Sequence, residues 1–306
     1  MVTLKSQLRQ ENIAFREDVV MAPYTSFHIG GEAALLIEPT DERALVRAIS
    51  LAKGSGRQTF LLGRASNVLL PDERMNAIFI RTTAVRELSV QGNTVRGSSG
   101  ATLSEMARLA QRSGLGGMEF AHGIPGTLGG ALCMNAGAYG GQMSDIVTSV
   151  RVYDAEQDRV LTLDGKQMSF AYRHSLLLSH PHLTALGATL TLREDDADAI
   201  EARMQEYMQR RRASQPLEYP SAGSVFKRPE GHFAGALIEQ NGLKGCRIGG
   251  AMVSPKHAGF IVNVGGATAR DVLQLIGHIQ SVVERDHGVL LEPEIQILTA
   301  LHARNE

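Results

Sequence analysis

The segment Gly123-Ile124-Pro125-Gly126-Thr127-Leu128-Gly129-Gly130-Ala131-Leu132-Cys133-Met134-Asn135-Ala136-Gly137-Ala138-Tyr139-Gly140-Gly141 is the most informative part of this chain. It is rich in glycine and contains no Lys or Arg. Because glycine loses much conformational entropy on folding, such a cluster indicates backbone that passes close to another group or adopts positive φ. Uncharged backbone with free N–H groups suits a phosphate or pyrophosphate. The glycines alone leave a second interpretation equally open, a set of tight turns between strands of small residues.

A second loop of small residues, Gly63-Arg64-Ala65-Ser66-Asn67, follows a predicted strand at residues 59–62. In open α/β sheets, ligands favour loops at strand ends. One interpretation is a second phosphate-binding turn, in which Ser66 and Asn67 donate hydrogen bonds. The segment alone favours an ordinary Ser/Asn turn. No GxxxxGK[ST] motif occurs in the chain, which argues against ATP hydrolysis of the P-loop type.

The composition is that of an ordinary globular protein. The 306 residues predict two or three domains, and 31 basic against 32 acidic residues give no indication of nucleic acid or an anionic membrane as partner. Two distant cysteines and scattered histidines predict neither a disulfide framework nor a metal site. The absence of a signal peptide and of a long apolar run predicts a cytoplasmic protein. The one basic run, Arg210-Arg211-Arg212, is interpreted as a solvated helix C-terminus.

Periodicity predicts mixed α and β structure in three regions, residues 1–81, 82–194 and 195–306. Helices are expected from Thr40, as N-cap, onward, from Thr102 to Ser113 behind a capping box, over residues 197–212, and from Thr268 to His287. Among the expected strands is one over residues 290–298.

Three polar residues outside the glycine loops are candidates for chemistry. Ser224, next to a glycine but outside any nucleophile elbow, suits a proton donor better than a nucleophile. Arg173 is able to hold a carboxylate bidentately, and Glu294 begins an apolar strand where a carboxyl can stay protonated. Spacing alone favours a turn serine, a surface ion pair and a solvated acid.

Taken in order, these segments resemble the UDP-N-acetylenolpyruvoylglucosamine reductase family, in its compact type II branch. The resemblance runs from Thr25-Ser26-Phe27-His28-Ile29-Gly30-Gly31 to Leu291-Glu292-Pro293-Glu294, and its most specific part is Met134-Asn135-Ala136-Gly137-Ala138. It implies an α+β fold with two FAD-binding subdomains of the vanillyl-alcohol-oxidase/PCMH type, residues 1–81 and 82–194. A linker helix and a C-terminal substrate-binding domain follow at residues 195–306.

The resemblance also implies the site. Catalytic roles fall on Arg173, Ser224 and Glu294, and substrate contacts on Lys227 and Tyr172. FAD, bound non-covalently, is expected to contact Gly63, Arg64, Ala65, Ser66, Asn67, Gly123, Ile124, Pro125, Gly126, Gly129, Gly130, Asn135, Ala136 and Gly137. No nucleic acid, membrane, metal or obligate protein partner is implied.

The implied reaction reduces UDP-N-acetylglucosamine enolpyruvate to UDP-N-acetylmuramate for peptidoglycan precursor synthesis. NADPH reduces FAD, which then passes hydride to the methylene carbon of the enolpyruvyl group. Arg173 and a protonated Glu294 stabilise the negative charge that develops at the carboxylate. Ser224 donates a proton to the adjacent carbon. A neutral glutamic acid requires a raised pKa, which burial supplies.

Two residues depart from the family pattern. Ala65 stands where a second glycine is usual, so either its φ is negative or the loop is rebuilt. Arg228 stands where Asn is common, which affects the expected contacts to uridine diphosphate.

Two other functions remain open at this stage. One is a flavin sugar oxidase with a covalent link, for which His122 is the available tether. The other is a flavin- or nucleotide-binding protein without turnover.

Overall fold

The computed structural model describes residues 3–298, and these divide into two compact units. The first unit comprises the chain up to Glu17, Leu35–Arg64 and Ala77–Arg211. The second comprises Asp18–Ala34, Ala65–Asn76 and the chain from Arg212 onward. The division into three regions at residues 81 and 194 stays a prediction.

Eight α-helices form among the described residues. They are α1 (Leu4–Gln10), α2 (Glu42–Gly54), α3 (Leu103–Arg112), α4 (Leu128–Cys133), α5 (Leu176–Ser179), α6 (Ala197–Ser214), α7 (Ala234–Gln240) and α8 (Ala269–His287).

The described strands are mostly short. They are β1 (Ala14–Val20), β2 (Glu32–Glu38), β3 (Thr59–Leu62), β4 (Val68–Leu69), β5 (Met75–Arg81), β6 (Leu88–Gln91), β7 (Thr94–Ser98), β8 (Leu115–Gly116), β9 (Gly137–Ala138), β10 (Gly141–Gln142), β11 (Val147–Asp154), β12 (Arg159–Asp164), β13 (Leu183–Thr191), β14 (Arg193–Glu194), β15 (Ser221–Ser224), β16 (Arg247–Ile248), β17 (Ala251–Val253), β18 (Phe260–Asn263) and β19 (Gln296–Ile297). The expected α+β class is confirmed.

The first unit contains two apolar cores. In one, buried side chains of α2, including Leu45, Ala48 and Ile49, join residues of the sheet β1-β2-β5-β3, in which β3 and β5 run parallel. In the other, the sheet β12-β11-β13-β7-β6 shares its buried residues with α3, α4 and α6. Ile200 and Met204 are the buried residues of α6 and belong to this second core.

The second unit is built on the antiparallel sheet β15-β18-β17-β16. Its core contains one face of α8, on which Val272, Leu275, Ile276, Ile279 and Val283 are buried. Asp72 accepts hydrogen bonds from the first two backbone N–H groups of α8, at 2.8 and 3.1 Å. Because these groups have no acceptor inside the helix, Asp72 stabilises its N-terminus.

Three local predictions were wrong, and one helix was missed. The N-cap of α2 is Asp41 rather than Thr40, since the Asp41 carboxylate accepts from Ala44 N. In the region predicted as a strand over residues 290–298, regular pairing is confined to β19 and an isolated bridge at Pro293. The helix α4 inside the glycine-rich segment was not predicted. Arg211 is half-buried rather than solvated, because it packs on Gly123.

Candidate active site

The loop Gly63 to Asn67 directly follows β3, and its backbone N–H groups are unpaired within residues 3–298. None of its five N–H groups has a hydrogen-bond acceptor within residues 3–298. Ala65 adopts φ +48°, the left-handed conformation, which settles the alternatives for this alanine in favour of positive φ. Successive N–H groups that include a left-handed residue form an anion-binding concavity. The loop has the backbone of a phosphate-binding turn.

Gly63 lies directly against Thr127, the N-cap of α4. A Cβ atom built on Gly63 would lie 2.1 Å from Thr127 Oγ1 and 3.1 Å from its Cγ2. Only a residue without a Cβ allows this approach. The two loops singled out in the sequence therefore meet at this pair.

Two buried hydroxyls beside the glycines have no hydrogen-bond partner among residues 3–298. Thr127 is 1% exposed, and its Oγ1 makes no hydrogen bond in the described part of the chain, although it stands at a helix N-cap. Ser99 Oγ is equally buried and unpartnered, and Ser99 O accepts from Gly129 N at 2.8 Å. Because an unsatisfied buried hydroxyl is costly, both groups fit a polar ligand that completes their hydrogen bonds.

The first turn of α4 adds one free donor. Leu128 N donates to Ala101 O and Ala131 N to Thr127 O, whereas the exposed Gly130 N–H has no acceptor within residues 3–298. In the preceding residues, Ile124 N donates to Ala121 O and Gly126 N to Ile124 O.

Asn135 ties the glycine-rich segment to the turn that carries Arg173. Asn135 is 2% exposed with φ +41°, and its Nδ2 donates to Ala171 O at 3.1 Å while its Oδ1 accepts from Ser144 N at 2.9 Å. Its Nδ2 also contacts Gln142 Oε1 and Ser144 Oγ. Both polar atoms of this side chain have hydrogen-bond partners within the protein, so its expected contact to FAD stays a prediction.

Arg173 is held in a strained turn. Ala171 and His174 exchange backbone hydrogen bonds around it, and Arg173 adopts φ +54°. Its Nη2 lies 3.5 Å from Gly137 O, and its guanidinium lies 5.1 Å from the centre of the Tyr172 ring. Tyr172 itself is 52% exposed. Left-handed backbone at non-glycine residues is concentrated at functional sites, and Ala65, Asn135 and Arg173 all have it.

In the second unit, Ser224, Glu294 and Asn67 lie on connected backbone. Glu294 N donates to Val225 O at 2.7 Å, and Asn67 Nδ2 donates to Glu294 O at 3.2 Å. Gln296 N donates to Asn67 O at 2.8 Å. The last residue of β15, Ser224, is half-buried, and its hydroxyl makes no hydrogen bond in the described chain. Its Oγ–H is available to a ligand.

The two residues after Phe226 have partners. Lys227 Nζ forms an ion pair with Glu292 Oε2 at 3.1 Å, and Lys227 N donates to Glu292 O. The Arg228 guanidinium lies 3.8 Å above the ring centre of Phe233, the N-cap of α7.

His122, the available covalent tether, interacts with α3. Its Nδ1 lies 3.4 Å from Ser104 Oγ, and burial lowers the pKa of the imidazole. Among residues 3–298, no group of three or more His, Cys, Asp or Glu is placed to hold a metal ion. No helix within the same range has both the length and the apolarity needed to cross a bilayer.

Sequence reasoning missed Thr127, Ser99 and Arg211 as site candidates. Thr127 stands between Gly126 and Gly129, and Ser99 stands before Gly100, so glycine neighbours were the available signal. Arg211 carried no such signal, since its burial depends on packing between distant segments.

The comparisons with known proteins identify a flavin-dependent oxidoreductase. The family model of the FAD binding domain matches residues 33–164, and that of the UDP-N-acetylenolpyruvoylglucosamine reductase C-terminal domain matches residues 215–298. Relatives named UDP-N-acetylenolpyruvoylglucosamine reductase occur in Clostridium novyi (41% identity; 96% of this chain, 95% of the relative) and Caldicellulosiruptor saccharolyticus (46% identity; 95% and 94%).

A solved reductase of that name from Thermus caldophilus aligns with a TM-score of 0.79 at 32% identity, covering 94% of this chain and 99% of that one. The chain belongs to the UDP-N-acetylenolpyruvoylglucosamine reductase family, which acts in peptidoglycan precursor synthesis. The expected FAD-binding fold and enzyme class are confirmed, and the predicted cofactors, FAD and NADPH, are those of the family.

Proposed function

We propose that this protein catalyses the NADPH-dependent, FAD-mediated reduction of UDP-N-acetylglucosamine enolpyruvate to UDP-N-acetylmuramate. The observation that carries the proposal is the row of five N–H groups without acceptors in the loop Gly63 to Asn67. The buried, unpartnered Thr127 Oγ1 lies against the first residue of that loop. Such donors suit the pyrophosphate of a dinucleotide cofactor.

FAD is expected to be held without a covalent bond. The holding residues are Gly63 to Asn67, the stretch Gly123 to Gly126, Gly129 and Gly130, and the hydroxyls of Thr127 and Ser99. Asn135, Ala136 and Gly137 support the same segment. When bound, FAD supplies hydride transfer between NADPH and the enolpyruvyl group.

The remaining chemistry belongs to side chains. As hydride reaches the methylene carbon, electron density moves toward the substrate carboxylate, which the Arg173 guanidinium and a protonated Glu294 would stabilise as preorganised donors. Ser224 Oγ–H would then give its proton to the carbon beside the carboxylate. We assign Tyr172 and Lys227 to substrate binding. Lys227 would release its ion pair with Glu292 and form one with a substrate phosphate.

The test begins with the visible spectrum of the purified protein. We expect flavin absorption, rapid oxidation of NADPH only when UDP-N-acetylglucosamine enolpyruvate is added, and formation of UDP-N-acetylmuramate as measured by mass spectrometry. A colourless protein that does not take up added FAD would overturn the proposal. A yellow protein that oxidises NADPH at the same slow rate with and without the substrate would overturn the substrate assignment.

Acid precipitation separates this function from that of a covalent flavin oxidase. We expect all flavin in the supernatant. Flavin that stays with the pellet, and is lost in His122→Ala, would favour the covalent enzyme.

A further inference from the structure

The C-terminal half of α6 covers both ends of the glycine-rich segment. At one end, a Cβ built on Gly123 would lie 3.1 Å from Met208 Sδ and 3.3 Å from Arg211 Cδ. At the other end, the Tyr139 and Tyr207 rings stack with centres 4.5 Å apart and planes 8° apart. Tyr207 and Arg211 are four residues apart and therefore share one helix face.

Arg211 differs from its neighbours in the basic run. Arg210 forms an ion pair with Glu206 one turn earlier and is exposed, and Arg212 is exposed as well. Arg211 is half-buried, and its side chain forms no hydrogen bond or ion pair with any residue in the range 3–298. Burial lowers the pKa of its guanidinium.

No carboxylate among residues 3–298 pairs with this guanidinium. The segment that Arg211 packs on contains no Asp or Glu, and no Lys or Arg of its own. A partly desolvated cation without a counter-charge is unfavourable, and an anionic ligand would reverse that cost. Guanidinium groups match phosphate oxygens in geometry and bind them bidentately.

We propose that Arg211 is a phosphate-binding residue whose guanidinium pairs with a nucleotide phosphate held at the glycine-rich segment. The inference rests on the proposed function for its ligand, which is the pyrophosphate of FAD. Met208 and Tyr207 would place the guanidinium by packing on Gly123 and Tyr139.

The experiment measures equilibrium binding to protein freed of flavin, by quenching of flavin fluorescence. The test variant is Arg211→Gln, and the matched control is Arg212→Gln, its exposed neighbour. A charge-assisted hydrogen bond contributes enough that we expect about a 10- to 100-fold rise in the Kd for FAD in Arg211→Gln. We expect Arg212→Gln to match the unchanged protein within about twofold.

Riboflavin separates a phosphate contact from a structural effect, because it carries the isoalloxazine ring without phosphate. Supporting results are an unchanged riboflavin Kd in Arg211→Gln and partial recovery of FAD affinity in Arg211→Lys. An equal loss of affinity for FAD and riboflavin, or no loss for either, would overturn the inference. If Arg211→Gln is too unstable to purify, Arg211→Lys decides the question. A purely structural role of Arg211 predicts that this variant loses affinity for FAD and riboflavin equally.

Further titrations use UDP and NADP⁺, the other phosphate sources in the proposed reaction. A loss of affinity confined to either of these would overturn the assignment to FAD. Failure of the proposed function is distinguishable, because the unchanged protein would then bind neither flavin, or would bind FAD without faster NADPH oxidation when the substrate is added.

Discussion

Gly63 and Thr127 approach so closely that no side chain fits between them, and they join the loop after β3 to the N-cap of α4. The contact occurs where Thr127 Oγ1 is buried and unpartnered. A close approach of this kind orders both loops before a ligand arrives, which lowers the entropy cost of binding.

Gly63→Ala is expected to destabilise the protein and weaken FAD binding. The new Cβ would lie 2.1 Å from Thr127 Oγ1, and overpacking of this kind costs about 1–3 kcal/mol. Urea unfolding and FAD titration measure the two effects, and we expect the FAD Kd to rise at least about tenfold.

A second substitution tests the cause. Thr127→Ala removes Oγ1 and Cγ2, the two atoms nearest to the new Cβ, so the double variant Gly63→Ala/Thr127→Ala is expected to be more stable than the sum of the single effects by about 1 kcal/mol. Gly54→Ala, at the open C-terminal end of α2, is the control and is expected to be tolerated. Strict additivity would show that the contact with Thr127 does not cause the loss of stability in Gly63→Ala.

Ala65→Gly and Ala65→Val are expected to act in opposite directions. Ala65 has φ +48°, which costs an L-residue about 1–2 kcal/mol, while glycine gains flexibility in the unfolded chain worth about 0.4–1 kcal/mol. The glycine variant should therefore match or slightly exceed the original in stability and keep its flavin. Valine, branched at Cβ, should lower the midpoint of urea unfolding. Equal midpoints for all three proteins would contradict this account.

The sequence predicted several local features around these loops because their signals are local. A capping box located α3, and the glycines indicated where backbone approaches another group. The helix α4 was missed because Gly129 and Gly130 have low helix propensity. Hydrogen bonds from Leu128 N to Ala101 O and from Gly129 N to Ser99 O stabilise its first turn instead. The burial of Arg211 was not predictable, because it depends on packing against Gly123, 88 positions earlier in the printed sequence.

Ser224→Ala is expected to separate the two halves of the reaction. The proposed proton donor acts only on the substrate, so NADPH should still bleach the flavin at the original rate. Reduction of UDP-N-acetylglucosamine enolpyruvate should fall about 10²–10⁴-fold. Stopped-flow absorbance follows both steps. Ser221→Ala, in the same strand, serves as control, and normal turnover in Ser224→Ala would remove the role assigned to this hydroxyl.

Asn135→Gly is expected to reduce substrate turnover through Arg173. Glycine keeps the positive φ but removes the bond from Nδ2 to Ala171 O, two residues before Arg173. Losing a buried hydrogen bond costs about 1–3 kcal/mol, and where this cost enters the barrier of the substrate step kcat should fall about 5- to 100-fold. Flavin reduction by NADPH should change less. Asn12→Gly makes the same substitution at an exposed residue with φ +55°, and it should leave both steps unchanged. Equal losses in both steps would indicate a general structural role for Asn135.

Asp271→Ala is expected to destabilise α8 in a pH-dependent way. The Asp271 carboxylate accepts from Thr268 N at 3.0 Å and Gly250 N at 3.2 Å, and the bond from Thr268 is the main reason why the pKa of this carboxyl is lowered. A group with a lowered folded pKa stabilises above its unfolded pKa, about 3.9, and this contribution disappears as the pH falls through the folded value. The substitution should therefore cost about 1 kcal/mol at pH 7 and progressively less below about pH 4. Urea unfolding over this pH range measures the difference, with Glu284→Ala on the same helix as control for loss of an exposed charge. A cost that stays constant down to pH 3 would show that the carboxylate's charge does not stabilise this helix end.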